Sequence, residues 1–345
     1  MTRDGQEQVA SRQGLERKSR LRIGCWSATL AFLSIVSGCE GVQNVLDPAS
    51  RDARLVAELS WWMFASAVFI YIVTIGLLAV GAGLFRNHER LTFRSATVLV
   101  VLGGVIAPIA AIIAIGISGV AIGNETEGDA GSALTIEVTG KQWWWEIRYL
   151  DEAGETIAVT ANELHLPVGE RARIELVSDN VIHSFWAPNL QGKTDLIPGR
   201  RNVLFAEPSV DGVWRGQCAE FCGTQHALMG FMIVAEPRAA FDAWLDLQAG
   251  DAAVTQAPGL DVFLALGCGK CHTIRGTPAT GDKGPDLTHL ASRRTIAAAT
   301  LLNSRGNLGG WITDTHEVKP GALMPSFAPE PEDLQTLLDY LEALQ

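Results

Sequence analysis

Two runs of this 345-residue chain contain no charged side chain, Trp61 to Phe85 and Ser95 to Asn124. Each exceeds the ~20 apolar residues that take a helix across a hydrocarbon core, where every backbone polar group must be bonded within its own segment. The sequence therefore predicts a hairpin of two transmembrane helices, over 61–85 and 95–123, within residues 40–124. Between them lie Arg86, Arg90 and Arg94 against one acid, Glu89. That bias assigns the connection to the cytoplasm and everything after Asn124 to the outside.

A third apolar stretch, Ile23 to Gly38, follows Arg17, Lys18, Arg20 and Arg22, which is the form of a secretory signal. It ends in Val36-Ser37-Gly38-Cys39, which resembles the lipobox of bacterial lipoproteins. Residues 1–39 thus read as a signal peptide whose Cys39 receives lipid, or as an ordinary export signal with an incidental cysteine. Cys25 lies inside the leader and has no role in this reading.

The four remaining cysteines fall into two clusters in the exported part. From Cys218 to Met229 the sequence is C-A-E-F-C-G-T-Q-H-A-L-M, with Cys218, Cys222, His226 and Met229 on one short loop. Two thiolates, an imidazole and a thioether form a soft ligand set that favours copper. An exported cysteine pair can instead form a disulfide, but a disulfide does not require a His and a Met at fixed offsets downstream. A second imidazole, His183, lies in V-I-H-S-F-W-A-P. Fifty positions after Cys218 comes Cys268-Gly-Lys-Cys271-His272, the C-x-x-C-H signature of covalent heme c attachment. Cys268 and Cys271 would bond the heme, and His272 would turn onto its iron. The other reading of C-x-x-C, a redox dithiol, lacks a surrounding βαβ pattern. The distal iron ligand must come later, from Met324 in G-A-L-M-P-S or from His289 or His316. A Met/His pair would raise the heme potential.

Short β-rich runs fill the stretch between the membrane region and the second motif: Thr135 to Thr139, Trp144 to Tyr149, Thr156 to Val159, Ala172 to Val177, Asn202 to Phe205 and Gly230 to Val234. Their spacing predicts an all-β sandwich or Greek-key barrel over 125–240. A short helical run, Ala239 to Leu247, leads into the small, polar stretch Gln248 to Gly259, and 241–258 reads as a linker. Beyond it, the apolar run Asp261 to Cys268 and the leucines at 334, 337, 338, 341 and 344 predict helices at either end of an all-α domain over 259–345. The formal charge of −11 excludes a nucleic-acid partner and suits a basic protein donor.

Residues 40–236 resemble subunit II of the heme–copper cytochrome c oxidases. The matching stretches are Gln142-Trp143-Trp144-Trp145, V-I-H-S-F-W-A-P, K-T-D-L-I-P-G-R from Lys193, and G-Q-C-A-E-F-C-G-T-Q-H-A-L-M from Gly216. The resemblance implies a cupredoxin-like domain holding a dinuclear copper centre. Cys218 and Cys222 would bridge both coppers, His183 and Met229 would complete one, and His226 with the backbone carbonyl of Glu220 the other. The side chain of Glu220 would reach a magnesium ion shared with subunit I, and Trp143 would be the point of electron entry. Asn180 departs from the family, which commonly has an acid at that position. Pro285 and Met324 match the corresponding motifs of class I cytochromes c. Together these features imply a caa-type oxidase subunit II with a fused cytochrome c domain. It would sit in the bacterial inner membrane with subunits I and III and take electrons from cytochrome c or another respiratory donor. A copper-domain subunit of a nitric-oxide reductase and a stand-alone membrane electron carrier are the alternatives.

Overall fold

The computed structural model describes residues 41–82, 93–126, 128, 131 and 134–345. The leader with Cys25 and Cys39, and the loop carrying Arg86, Glu89 and Arg90, lie outside the described residues.

Helix α1 (Arg51–Gly81) starts well before the charge-free run. Ser50 caps it, its hydroxyl accepting from the Ala53 amide at 3.0 Å. Its first turns carry Arg51, Asp52, Arg54 and Glu58, and they are tied to the folded domain outside the membrane. Asp52 meets Arg171 at 3.5 Å, and the Ala49 amide donates to the Asn189 carbonyl at 2.7 Å. Helix α2 runs through Phe93–Val101, a π-helical turn at Leu102–Ile106, and Ala107–Thr126. Pro108 accounts for that turn, because its ring would meet the Gly104 carbonyl in a regular helix and it has no N–H to offer. Large apolar side chains such as Phe69, Ile72, Ile112 and Val120 are exposed along both helices. Both are long and apolar enough to cross a membrane.

Ten strands build the next domain. One sheet takes the order β3 (Thr156–Ala161), β2 (Trp144–Leu150), β1 (Leu134–Lys141), β5 (Ala172–Ser178), β8 (Asn202–Ala206). The other runs β4 (Glu163–Pro167), β10 (Gly230–Glu236), β9 (Gly212–Cys218), β6 (His183–Trp186), β7 (Thr194–Leu196). Alternating burial in β1, β5 and β9 turns one face of each strand inward. Trp145, Ile147, Ile174, Leu176, Phe185 and Phe231 fill the space between the sheets, with Trp145 set edge-on to both phenyl rings.

At one edge of this core, buried His165 lies between two carboxylates, Glu236 at 2.7 Å and Glu163 at 3.1 Å. Its ring stacks on Trp244 with centroids 3.8 Å apart. Burial works against the protonated ring, but bonds to Glu163 and then Glu236 outweigh it, and the pKa lies above the ordinary 6.5. The stability His165 contributes is thus complete below about pH 6.5 and is lost as pH rises through the raised value. The melting temperature should fall by a few degrees across that window, since ~1 kcal/mol moves a domain of this size by about 2–4 °C. Thermal melts of the wild type and His165→Gln check this, the variant being expected to lose the pH dependence.

The stretch expected as a linker over 241–258 is largely ordered against its neighbours. Helix α3 (Arg238–Ala249) buries Phe241 in the sandwich core. The Ala252 amide then donates to the Arg275 carbonyl at 3.2 Å. Helix α3 matches the expected helical run, whereas the small, polar, aperiodic residues from Gln248 on suggested a tether, and buried Gln248 and Ala252 pack its start down. The last domain opens with α4 (Pro258–Ala265), continues through β11 (Thr295–Ile296), β12 (Leu301–Leu302), α5 (Arg305–Thr313) and α6 (Thr315–Val318), and closes with α7 (Pro331–Glu342). Leu260 and Phe263 of α4 share a core with Leu337, Leu338 and Leu341 of α7.

Candidate metal and heme sites

Strand β9 lies between β6 and β10, with Phe185 opposite Cys218 and Gly230 opposite Gln217. That register brings three strand ends together, carrying His183, Cys218 and Met229. The loop after β9 folds back so that Cys222 faces Cys218 with the sulfurs 3.7 Å apart. His183 Nδ1 is 3.9 Å from the Cys218 sulfur, and His226 Nδ1 is 3.8 Å from that of Cys222. Met229 Sδ stands 3.8 Å from Cys222, and the Glu220 carbonyl 3.1 Å from Cys218. The expected ligand atoms thus meet in one place. Cys218, Cys222, His183 and Met229 are all buried, and the sulfurs are at a non-bonded spacing that a metal with thiolate bonds of about 2.3 Å can bridge.

The contact between the two thiols drives their proton affinities apart. The bond from Cys222 holds the Cys218 pKa down at about 3, and the same bond together with burial pushes Cys222 far up. A cation in place of the proton would let both sulfurs be thiolates. Asn180 also reaches this site, with Oδ1 3.4 Å from His183 Nε2. A Cβ on Gly140 would come within 2.8 Å of the His183 ring, so only glycine lets β1 pass so close. Trp143 is half-buried above this site, and its indole N–H donates to the Cys222 carbonyl at 3.0 Å. Gln142 donates to the same oxygen at 2.8 Å.

In the last domain Cys268, Cys271, His272 and Met324 line one apolar cavity of about 540 Å³. His272 Nδ1–H donates to the Pro285 carbonyl at 2.7 Å, which leaves Nε2 free for a metal. Burial holds the His272 pKa below its ordinary value, against the opposing Pro285 bond, so the ring is neutral as a ligand must be. A Cβ on Gly284 would strike that ring at 2.5 Å. Two buried polar atoms at the cavity wall, Arg293 Nε and Thr295 Oγ1, have no hydrogen-bond partner. An apolar cavity with an attachment motif at its mouth and unpaired donors in its wall fits a heme with acidic side chains. The competing distal ligands do not face it. His289 is buried with its ring nitrogens at the Gln345 and Gly250 carbonyls, 2.9 and 3.2 Å away, and His316 is exposed.

Sequence reasoning missed that the cavity is completed from the other domain. Gln142, Trp143, Trp144, Asn162 and Gln225 of the sandwich also line it. Trp144, Ala161 and Ala298 pack together across the junction, and the Arg294 amide donates to the Glu163 carboxylate at 2.9 Å. The aromatic run at 143–145 was the only signal in the sequence, and its divided orientation was not legible there.

A family model described as cytochrome c oxidase subunit II, periplasmic domain, matches residues 148–236, and one described as cytochrome c matches residues 256–345. A protein named cytochrome c oxidase subunit 2 from Alkalihalophilus pseudofirmus is 31% identical over 341 residues, covering 92% of this chain and 96% of that one. Its namesake from Bacillus sp. is 31% identical over 229 residues, covering 62% and 63%. Among solved structures, the periplasmic domain of subunit II of the Bradyrhizobium japonicum cytochrome oxidase is similar at 31% identity and a TM-score of 0.32, covering 34% of this chain and 94% of that one.

Proposed function

Since this chain belongs to the cytochrome c oxidase subunit II family, as a membrane-anchored electron-transfer subunit with a cytochrome c domain at its C-terminal end, we propose the residues that carry the electron through it. Heme c and a dinuclear copper centre, when bound, supply the one-electron chemistry between donor and subunit I. Cys268 and Cys271 would attach the first covalently, and His272 and Met324 would be the ligands of its iron. Cys218 and Cys222 would hold the coppers between them, with His183, Met229, His226 and the Glu220 carbonyl as the further ligands. The Glu220 side chain would be a ligand of a magnesium ion shared with subunit I. Subunit III joins the complex, and the donor is cytochrome c or another respiratory carrier. The complex sits in the bacterial inner membrane with both domains on its outer face. Relatives from Alkalihalophilus pseudofirmus and two Bacillus sources carry the oxidase name, which disfavours the nitric-oxide reductase and stand-alone readings.

One observation carries the route: Trp143 lines the heme cavity and its indole donates to the Cys222 carbonyl. A single side chain touches both sites. Trp143→Phe removes the bond to Cys222 and keeps a ring, whereas Trp143→Ala removes both. Flash-initiated transfer from heme c to copper should slow in the order wild type, Phe, Ala, with both metal spectra unchanged. A wild-type rate in Trp143→Ala would mean that the electron crosses elsewhere.

A further inference from the structure

We propose that Lys319 is a positioning residue that latches the heme-binding domain onto the copper-binding domain by bonding one carbonyl of each. Its ammonium lies 3.4 Å from the Trp143 carbonyl and 3.4 Å from the Ala297 carbonyl. The residue is only 3% exposed, in a class of side chain that is almost never buried unless paired. No carboxylate among the described residues forms an ion pair with it, so the two carbonyls are its direct partners. Burial lowers its pKa to about 8. An aliphatic side chain would fill the same space without that desolvation, so the structure holds the ammonium for its bonds.

Its place in the chain gives the latch its purpose. Lys319 opens the loop Pro320-Gly321-Ala322-Leu323 that leads to Met324. On that loop the Pro320 carbonyl accepts from the Gln225 side chain. Gln225 and Thr224 belong to the loop between Cys222 and His226, and Thr224 packs beside Gly321. The loop bearing the proposed distal heme ligand and the loop bearing the proposed copper ligands are thus seated back to back. Lys319 is the charged bond at their junction. The functional consequence rests on the ligand assignment above, but the latch itself does not.

Two amides report the docked state directly, because their acceptors lie in the other domain. Gly230 N–H donates to the Ala298 carbonyl at 3.1 Å, and Arg294 N–H to the Glu163 carboxylate at 2.9 Å. Hydrogen exchange in the purified full complex measures how often those bonds open. Lys319→Met, which keeps most of the stem, should speed exchange at both amides at least about tenfold, the factor for losing a hydrogen bond to a charged group at the weaker end of its range. Amides inside β1 and α7 should keep their rates, and Lys319→Arg should recover part of the protection. Wild-type exchange at Gly230 and Arg294 in Lys319→Met would overturn the proposal. So would faster exchange spreading into α7, which would make Lys319 a folding residue of its own domain. Absence of copper or heme spectra from the wild type would instead overturn the ligand assignment and leave the exchange result intact.

Discussion

Cys218→Ser or Cys222→Ser is expected to abolish the near-infrared and multi-line copper spectra while heme c stays attached at full intensity. Each sulfur has a nitrogen and a second sulfur at 3.7 to 3.9 Å, so removing either leaves no pair to share two metals. A serine oxygen is a harder donor and does not replace a thiolate for copper. The heme should survive because its cavity is supported by a separate core, around Phe263, Leu290, Leu337 and Leu341. Metal analysis alongside the spectra should find copper falling toward zero per heme c. An unchanged copper signal in either variant would refute the assignment.

Met324→Ala is expected to remove the sulfur-to-iron charge-transfer band and lower the heme midpoint potential by on the order of 0.1 V or more, within the ~0.8 V that axial ligands span. The thioether is the side of the ligand pair that raises the potential. His289→Ala and His316→Ala should leave the heme spectrum as it is, since neither side chain lines the cavity. Redox titration of the three variants separates the candidates. A wild-type potential in Met324→Ala would pass the distal position to another residue.

Much of this molecule could be read from local pattern. The runs at Thr135, Trp144, Thr156, Ala172, Asn202 and Gly230 all lie in strands, because alternation and β-branched residues mark a half-buried sheet. The strand Glu163–Pro167 escaped, since it is buried along its whole length and therefore shows no alternation, and its Glu and His resemble a polar loop. Strand Gly212–Cys218 escaped because glycines and Arg215 interrupt its pattern. At the sites, the thiols, imidazoles and thioethers are rare residues with fixed chemistry, and their clustering was visible in one dimension. Lys319 was not. A lysine before Pro-Gly looks like a solvated turn, and only the docking of two domains buries it. The ten residues at the start of α1 were likewise assigned outside the helix because charge marks the end of a membrane span and not the end of a helix.

On the proposed route, the wall shared by the sandwich and the last domain would also set the order of the first internal reaction. With Trp143 and Trp144 closing the heme cavity, the surface that a diffusing carrier would need in order to reach copper is occupied by a part of the same molecule. On the proposed route, transfer from heme c to copper would be unimolecular, with no encounter complex and no dependence on how densely the protein populates the membrane. Salt screens exposed charges over a Debye length of about 8 Å at physiological ionic strength, and it has little hold on a contact already made and buried. Sensitivity to ionic strength would then move one step upstream, to the collision between the proposed donor and the exposed side of the cytochrome domain.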